Sequence, residues 1–503
     1  MIAMDNLILG FNILLTPANL FACFIGVFIG TLIGVLPGIG PVGTMAILLP
    51  ITFSMGPTTA IILLSGIYYG AQYGGSTTSI LVNIPGEIGS IVTCLDGYQM
   101  ARQGRAGPAL GMCAIGSFIG GTVSIFGLIF LTPSLAKLAI GFGPPELFSL
   151  ILLGLMMVTS LGTGSVLKSM LMALLGMFIS TIGKESIMGY GRFTLGSITL
   201  ADGLGLAPVA VGMFGLGELL TNIEELKKQE VFKTTIKNLL PTLKDWLACR
   251  WTFIRSTLLG FFLGIFPGGG VTVSTFFAYG LERRCSKHPE KFGTGVIEGV
   301  CAPETANNAA TSGSMVPLLA LGVPPNGVMA MLLGALIVHG IQPGPFFINE
   351  HPDLFWGIIA SLFIGNIMLL VLNLPLIGLW LQLLRVPHRL LFPLIITFCF
   401  IGVYSLNNNI FELFIMIVFG FLGYLTQKIK YPPGPFLLGL VLGPMLEVSL
   451  RQSMTISQGD PAIFIQRPLS AGLLILMILI IIWVSTQAVR KQGSTKKSIK
   501  LKT

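Results

Sequence analysis

The sequence predicts an all-α membrane protein that crosses the bilayer many times. Three observations indicate this class: 53% of the 503 residues are hydrophobic, only 10% are charged, and long stretches carry no charge. A soluble globular protein typically has about 25% charged residues, so this chain cannot cover a water-facing surface. The longest uncharged stretch runs from Asp5 to Glu87.

Further uncharged stretches follow along the chain, at 106–136, 147–167, 256–281, 305–349, 354–384, 390–411 and 469–489. A helix needs roughly 20 apolar residues to span the hydrocarbon core, so several stretches must hold more than one crossing. We expect about 10 to 13 crossings, including re-entrant hairpins. Continuous apolar runs favour a helical bundle over a β-barrel, whose strands alternate.

Charge and cysteine content exclude several other classes. The net charge of +9 does not indicate nucleic acid, because Lys and Arg beside membrane spans mark the cytoplasmic side. The basic tail at 490–503 follows the last apolar stretch and is expected in the cytoplasm. Seven scattered Cys, without C-x-x-C spacing, indicate neither zinc nor a disulfide framework. The N-terminus lacks the basic start of a signal peptide and is expected to be retained.

The chain contains an internal repeat. Residues 30–40 (GTLIGVLPGIG) align with residues 260–270 (GFFLGIFPGGG), with identities at Gly30/Gly260, Gly34/Gly264, Pro37/Pro267, Gly38/Gly268 and Gly40/Gly270. We predict a first transmembrane repeat at 1–222, a charged cytoplasmic connection at 223–255, a second repeat at 256–468, an extra helix at 469–489 and the tail at 490–503.

Basic residues fall in different loops of the two repeats, which favours inverted topology, because basic loops lie inside. Secondary transporters often have inverted repeats, with the substrate near the membrane midplane at their interface. The N-terminus is then outside and the C-terminus inside.

Two polar stretches occupy corresponding places in the repeats. Residues 70–79 (GAQYGGSTTS) lead to 83–86 (NIPG), and residues 303–313 (PETANNAATSG) lead to 321–327 (LGVPPNG). We interpret each polar stretch as a helical hairpin with an unwound tip. The earlier breaks at 37–40 and 267–270 would supply a second unwound element in each repeat. Free N–H groups at helix starts attract carboxylates, and freed oxygens suit a sodium ion.

These patterns predict a substrate site and, within it, a cation site. The substrate-binding residues are Gly38, Gly40, Gly74, Gly75, Ser76, Thr77, Thr78, Asn83, Gly268, Gly269, Asn307, Asn308, Thr311, Ser312 and Asn326. The cation-binding residues are Thr78, Asn83, Glu304 and Asn308. The coupling ion is sodium or a proton; no other cofactor and no resident metal is expected.

Other readings stay open. The small residues could serve helix packing, and the Asn pair could bond to backbone. Glu298 and Glu304 are functional candidates because ionisable residues are costly at membrane depth. The alternative is that they lie in a water-filled entrance to the site. Glu447 and Arg451, spaced i, i+4, are expected to pair.

Motifs of catalysis and of nucleotide binding are missing from the sequence. H-E-x-x-H is absent, and Lys184 lacks the upstream Gly of a P-loop because position 178 is Phe. We therefore expect no enzyme and no catalytic residues, and an ion gradient as the energy source. An intramembrane enzyme or a channel without carboxylate transport is the alternative.

The motifs resemble the large membrane subunit (TctA) of the tripartite tricarboxylate transporters. The resemblance rests on 34–40 (GVLPGIG), 69–75 (YGAQYGG), 83–86 (NIPG), 93–98 (TCLDGY), 298–308 (EGVCAPETANN), 339–345 (HGIQPGP) and 442–444 (LGP) with Glu447 and Arg451. It covers nearly the whole chain. The family often has a single Pro before Gly where this chain has Pro324 and Pro325, and the second Pro removes an N–H.

The resemblance implies a secondary active importer of the bacterial inner membrane. It implies two partners, a small four-span membrane subunit and a periplasmic solute-binding protein that delivers the substrate. The expected substrates are small carboxylates such as citrate, other tricarboxylates, dicarboxylates and aromatic acids, and cation symport is expected.

Overall fold

A computed structural model of the chain describes residues 2–36, 40–161, 165–185, 189–224, 239–268, 270–383, 388–482 and Thr486. Helices dominate this part of the chain, and the strands within it form one short antiparallel pair, β1 (Gly183–Lys184) and β2 (Gly191–Arg192). The predicted all-α class is therefore confirmed.

The helices follow one another along the whole described chain. In order they are α1 (Ile2–Leu14), α2 (Pro17–Val35), α3 (Pro41–Thr52), α4 (Pro57–Val82), α5 (Thr93–Arg102), α6 (Ala106–Ala139), α7 (Pro144–Leu161), α8 (Val166–Ser180), α9 (Ile198–Ala201), α10 (Leu206–Ala210), α11 (Gly217–Glu224), α12 (Leu243–Ile265), α13 (Gly270–Cys285), α14 (Glu298–Leu321), α15 (Gly327–Val338), α16 (Phe347–Glu350), α17 (Pro352–Asn373), α18 (Ile377–Leu383), α19 (His388–Asn407), α20 (Ile410–Lys428), α21 (Pro433–Ile456), α22 (Ile463–Gln466) and α23 (Pro468–Ile482). A 3₁₀ turn at Ile88–Ile91 precedes α5, and a π-helical segment at Val211–Leu216 joins α10 to α11.

The chain forms two compact units, each built from two separate stretches. The larger unit comprises Met1–Ile140 and Leu204–Pro433, and the smaller comprises Gly141–Gly203 and Gly434–Thr503. This grouping reflects packing, whereas the predicted repeats reflect sequence similarity. The repeat boundaries therefore stay a prediction. The polar stretches of both repeats lie in the larger unit.

Six helices within the described ranges are long and apolar enough to cross a membrane. They are α2, α6, α17, α20, α21 and the helix Leu206–Glu224 that contains the π-helical segment. Seven further apolar helices have 10–17 residues, shorter than the roughly 20 residues that a full crossing requires. The chain is a multi-pass membrane protein, and the expected 10 to 13 crossings, which depend on the shorter helices, stay a prediction.

Glycines bring helix backbones into direct contact in both predicted repeats, 1–222 and 256–468, which are called the first and second halves below. Gly30 of α2 faces α4, where an added Cβ would stand 2.4 Å from the Ile67 carbonyl oxygen. Gly260, at the corresponding position in α12, faces α14, where the same atom would stand 2.4 Å from the Ala306 carbonyl oxygen. Close backbone approach at small residues is the usual means of helix association in membranes. The equivalent contacts agree with a duplication and leave its inversion untested.

Helix breaks also recur in the same order. In the first half, α2 ends at Val35 before α3, and α4 ends before Asn83, which adopts φ 59°. In the second half, α12 ends at Ile265 before α13, and α14 ends before Gly322, with φ 70°. Each break follows a long helix and precedes a short helix or turn.

The predicted unwound tips were wrong for the two polar stretches themselves. Residues 70–79 lie inside α4 and residues 303–313 lie inside α14, and both helices are continuous there. Glycines in α4 serve contact with α2 and do not interrupt the helix. The unwound backbone lies beyond these stretches, at residues 83–87 and 322–326.

Two acidic side chains are held by specific contacts. In the larger unit, buried Asp96 accepts hydrogen bonds from the Tyr279 hydroxyl and from the backbone N–H groups of residues 293, 295 and 296, which fastens that loop. In the smaller unit, Arg451 Nε lies 3.0 Å from Glu447 Oε1, as the i, i+4 spacing predicts.

Replacing Gly30 with Ala should lower the unfolding temperature of the full chain in detergent. The added methyl would stand 2.4 Å from the Ile67 carbonyl oxygen, and overpacking costs about 1–3 kcal/mol. The matched control is Gly280→Ala in α13, whose methyl meets no atom within 4 Å and gains about 1 kcal/mol of helix propensity. Equal unfolding temperatures for the two variants would contradict the α2–α4 packing.

Candidate functional site

The candidate site is the buried polar centre between α4 and α14. Every residue from 60 to 81 in α4 and from 299 to 320 in α14 is buried. The Tyr69 hydroxyl hydrogen bonds with the Ser312 hydroxyl, and the Tyr73 hydroxyl donates to the amide oxygen of Asn366 in α17. Polar side chains of both halves therefore meet inside the larger unit.

Glu87 lies at the centre of one hydrogen-bond network. It follows the break at 83–86 and caps the 3₁₀ turn, where its carboxylate accepts from the Gly89 N–H at 2.7 Å. The Asn307 amide of α14 donates to the same carboxylate at 3.1 Å. The Gln72 amide of α4, oriented to donate, reaches both carboxylate oxygens at 3.2 Å and the Asn307 amide oxygen at 2.9 Å. Glu87 thus links the helix break at 83–86 to α14 through its hydrogen bond with Asn307.

Glu304 lies at the centre of a neighbouring network. It is fully buried in α14, and its carboxylate accepts from the Ser76 hydroxyl of α4 and the Thr93 hydroxyl of α5. One turn further along α14, the Asn308 amide nitrogen lies 3.4 Å from the Glu304 carbonyl oxygen. The Asn308 amide oxygen is buried without a hydrogen-bond partner. Such a buried, unpaired acceptor is costly.

The first-half breaks pack onto each other. A Cβ on Gly86 would stand 2.0 Å from the Gly34 carbonyl oxygen at the end of α2 and 2.7 Å from Gly75 Cα. A Cβ on Gly89 would stand 2.4 Å from Val271 in α13, so this region also reaches the start of a second-half helix.

The second-half breaks are likewise joined. The Gly268 N–H donates to the Pro325 carbonyl at 3.0 Å, and the Asn326 side chain caps α15 by accepting from the Met329 N–H at 2.9 Å. Tyr68 of α4 lies close to the side chains of Asn326 and Thr311. Breaks of both halves therefore surround the same two polar helices.

A third carboxyl group, the half-buried Glu218, lies at the start of α3. The Gly40 N–H, at the N-cap of α3, donates to Glu218 Oε1 at 3.2 Å. Glu218 lies two residues after the π-helical segment, and such segments often occur at functional sites. Gly38 and Gly269, both predicted substrate ligands, lie outside the described residues.

The other predicted site residues fall into three groups. Gly74 packs against α2, where an added Cβ would stand 2.3 Å from the Thr31 carbonyl oxygen. Thr78 and Thr311 donate to carbonyls of their own helices, at Gly75 and Asn307, while Thr77 is buried in α4. Asn83 is exposed in its left-handed cap, so the structure does not bring it to Glu304 and Asn308.

The electrostatics of the centre differ from the expected open anion site. The helix starts at Gly40 and Gly89 already bind glutamate side chains of the chain itself. Among the residues that the structure describes, no Lys or Arg forms an ion pair with Glu87, Glu218 or Glu304. A buried negative charge is costly without such compensation. Within the described residues, hydrogen-bond donors and not basic side chains compensate these carboxyl groups.

Reasoning from sequence missed Glu87, Gln72, Thr93 and Glu218. One signal was available for Glu87, which is the first charged residue after 81 uncharged positions, 6–86, and directly follows Pro85-Gly86. Glu218 gives no local signal because its partner, Gly40, lies 178 positions away.

An all-helical multi-pass membrane protein, with broken helices around a buried polar centre, is the class that this architecture defines. The chain belongs to the tripartite tricarboxylate transporter TctA family, whose model matches residues 20–438. The family name denotes a three-part transport system, so the chain acts with partner subunits.

Two relatives from Agrobacterium vitis are similar to the chain. One is an uncharacterized 52.8 kDa protein in the TAR-I ttuC' 3' region, 50% identical over 470 residues, which are 93% of this chain and 94% of the relative. The other is an uncharacterized protein in the TAR-II ttuC' 3' region, 50% identical over 233 residues, which are 46% of this chain and 96% of the relative. No solved structure matches the chain.

Replacing Glu87 with Gln should destabilise the full chain in detergent. The Gln amide group would face N–H donors of Gly89 and Asn307, and a hydrogen bond to a charged group contributes about 1.5–3 kcal/mol. The measurement is the unfolding temperature, with Glu290→Gln at an exposed turn as the matched control. A loss no larger than that of the control would show that the Glu87 network does not hold the break.

Proposed function

We propose that this chain is the large membrane subunit of a secondary active importer in the bacterial inner membrane. It receives small di- and tricarboxylates from a periplasmic binding protein, works with a small four-span membrane subunit, and uses a cation gradient. Membership in the TctA family supports transport with partner subunits. The buried polar centre supports the location of the substrate path.

One observation carries the mechanism: helix breaks of both halves lie against a centre whose carboxyl groups form no ion pair with Lys or Arg among the described residues. Helix starts supply N–H groups for a carboxylate without burying Lys or Arg. An anion can enter beside buried glutamates only when those glutamates are neutralised, because like charges repel strongly at low dielectric. Cation coupling follows from this requirement.

The proposal includes an inverted duplication. The equivalent glycine contacts of Gly30 and Gly260 support a shared origin of the halves, and the placement of basic loops supports opposite orientations. Inverted repeats place the substrate near the midplane and allow one bundle to shift against the other. In this arrangement the C-terminus lies in the cytoplasm.

Asn307→Ala and Thr77→Ala should each reduce carboxylate uptake at least about tenfold, a change of roughly 1.4 kcal/mol. Asn307 donates a hydrogen bond to Glu87 of the other half, and Thr77 is buried in the polar stretch of α4. The assay measures labelled citrate and a panel of dicarboxylates and aromatic acids in cells that also produce the two partner proteins. Immunoblots of membranes check insertion.

Asn373→Ala and Thr426→Ala are matched controls, since both residues are buried and donate to carbonyls of their own helices. Wild-type uptake in both the Asn307→Ala and Thr77→Ala variants would contradict the assignment of this centre as the substrate site. Absence of uptake for every carboxylate, or uptake that depends on ATP and not on an ion gradient, would contradict the function itself. Accumulation against a gradient separates an importer from a channel.

A further inference from the structure

Glu304 differs from the other buried acids of the larger unit in how its charge is compensated. Asp245 and Glu282 lie 2.7 Å from Arg105 and Arg255, respectively. Asp96 accepts several backbone N–H groups. Glu304 is completely buried, and its hydrogen bonds within the described residues come from the side-chain hydroxyls of α4 and α5. Hydroxyl groups bring no positive charge to this carboxylate.

A second and independent feature lies on the same face of α14. Asn308 follows Glu304 by four residues, a spacing that places the two side chains next to each other on a helix. The Asn308 amide oxygen is fully buried and accepts no hydrogen bond from the residues that the structure describes. A native protein rarely leaves such an acceptor unpaired, and each exception calls for an explanation. A bound cation, which accepts lone pairs from oxygen atoms, would explain the unpaired acceptor.

We propose that Glu304, Asn308, Ser76 and Thr93 form a binding site for a dehydrated monovalent metal ion of the sodium class. The inference deepens the proposed function, on which it rests for the role of the ion in transport. The four side chains offer five oxygen atoms: two carboxylate, one amide and two hydroxyl. Oxygen atoms are the ligands of hard cations.

Charge balance selects the valence of the ion. One carboxylate carries one negative charge, which a monovalent ion neutralises and a divalent ion overcompensates in a low-dielectric interior. A proton on Glu304 would also neutralise the group, and the resulting O–H can donate to the Asn308 oxygen. The sodium and pH responses measured in the test separate these two outcomes. A metal ion engages all of these oxygens at once, with the hydroxyls turning their lone pairs inward.

The position of the site gives it a transport role. Ser76 and Thr93 belong to the first half, whereas Glu304 and Asn308 belong to the second. Asn307, between the latter two in sequence, donates to Glu87 at the first-half break. An ion bound here would therefore hold α4, α5 and α14 together beside the break that shapes the substrate path.

The test measures unfolding temperature of the purified full chain in detergent, at constant ionic strength, as NaCl replaces choline chloride. A ligand that binds only the folded protein raises this temperature, and we expect a rise of about 2 °C or more at saturating sodium. Glu304→Gln and Asn308→Ala should abolish the rise. Ser76→Ala should require a higher sodium concentration for the same rise.

Two matched controls should keep the full sodium response. Glu298→Gln changes a half-buried glutamate at the start of the same helix. Asn373→Ala changes a buried Asn with the same pattern, since its amide nitrogen donates to the carbonyl four residues earlier, at Leu369, and its amide oxygen is unpaired. The residue four positions before it is Leu, not Glu, so it can form no such site with a carboxylate.

The outcomes separate this inference from the proposed function. A wild-type protein without a sodium response, or a response that survives in both Glu304→Gln and Asn308→Ala, overturns the site. A response to pH that depends on Glu304, without one to sodium, assigns a proton instead. If variants do not fold, binding of radioactive sodium to the wild-type chain decides, and no binding overturns the site. A sodium response without carboxylate uptake rejects the proposed function alone.

Discussion

The requirement that buried charge be compensated governs this molecule. Towards the ends of its helices, acids such as Asp245 and Glu282 have arginine partners. In the centre, Glu87, Glu218 and Glu304 have N–H groups and hydroxyls instead. The difference matters because an acid paired with arginine has no net charge. Hydrogen bonds alone leave the charge of the carboxylate in a medium of low dielectric constant, which is unfavourable. Among the described residues, the carboxyl groups of the centre are held by hydrogen bonds alone, and under the proposed function a cation supplies the missing positive charge.

The sequence predicted four helix ends correctly and two breaks wrongly. The helices α2, α4, α12 and α14 each end within three residues of a proline, which lacks the N–H that a continuing helix needs. The polar stretches 70–79 and 303–313 stay helical, the latter although Pro303 lies inside α14. Residues 70–79 contain no proline, and their glycines continue a spacing of four from Gly66 to Gly74. That spacing forms one helix face, which packs on α2. Glycine can therefore indicate either a helix break or a close helix contact, and the packing against a partner helix decides between the two.

The candidate site was predictable in its composition and not in its geometry. Ser76, Asn307 and Asn308 were recognised because polar residues inside long apolar stretches require a reason. Their partners could not be recognised in the same way. Thr93 is the first residue of α5, and it meets Glu304 across 211 positions of sequence. Asn83 shows the reverse error, since its polarity serves a left-handed helix cap at an exposed position.

The same constraint connects substrate and ion under the proposed function. The N–H groups best placed for a substrate carboxylate, at Gly40 and Gly89, already bind glutamate side chains. An incoming carboxylate competes with groups of its own kind, so the exchange changes the number of hydrogen bonds little. What changes is the charge of the centre, because the displaced glutamate remains buried beside the new anion. The exchange becomes favourable only when a cation enters with the substrate, so coupling arises from the chemistry of the empty site itself.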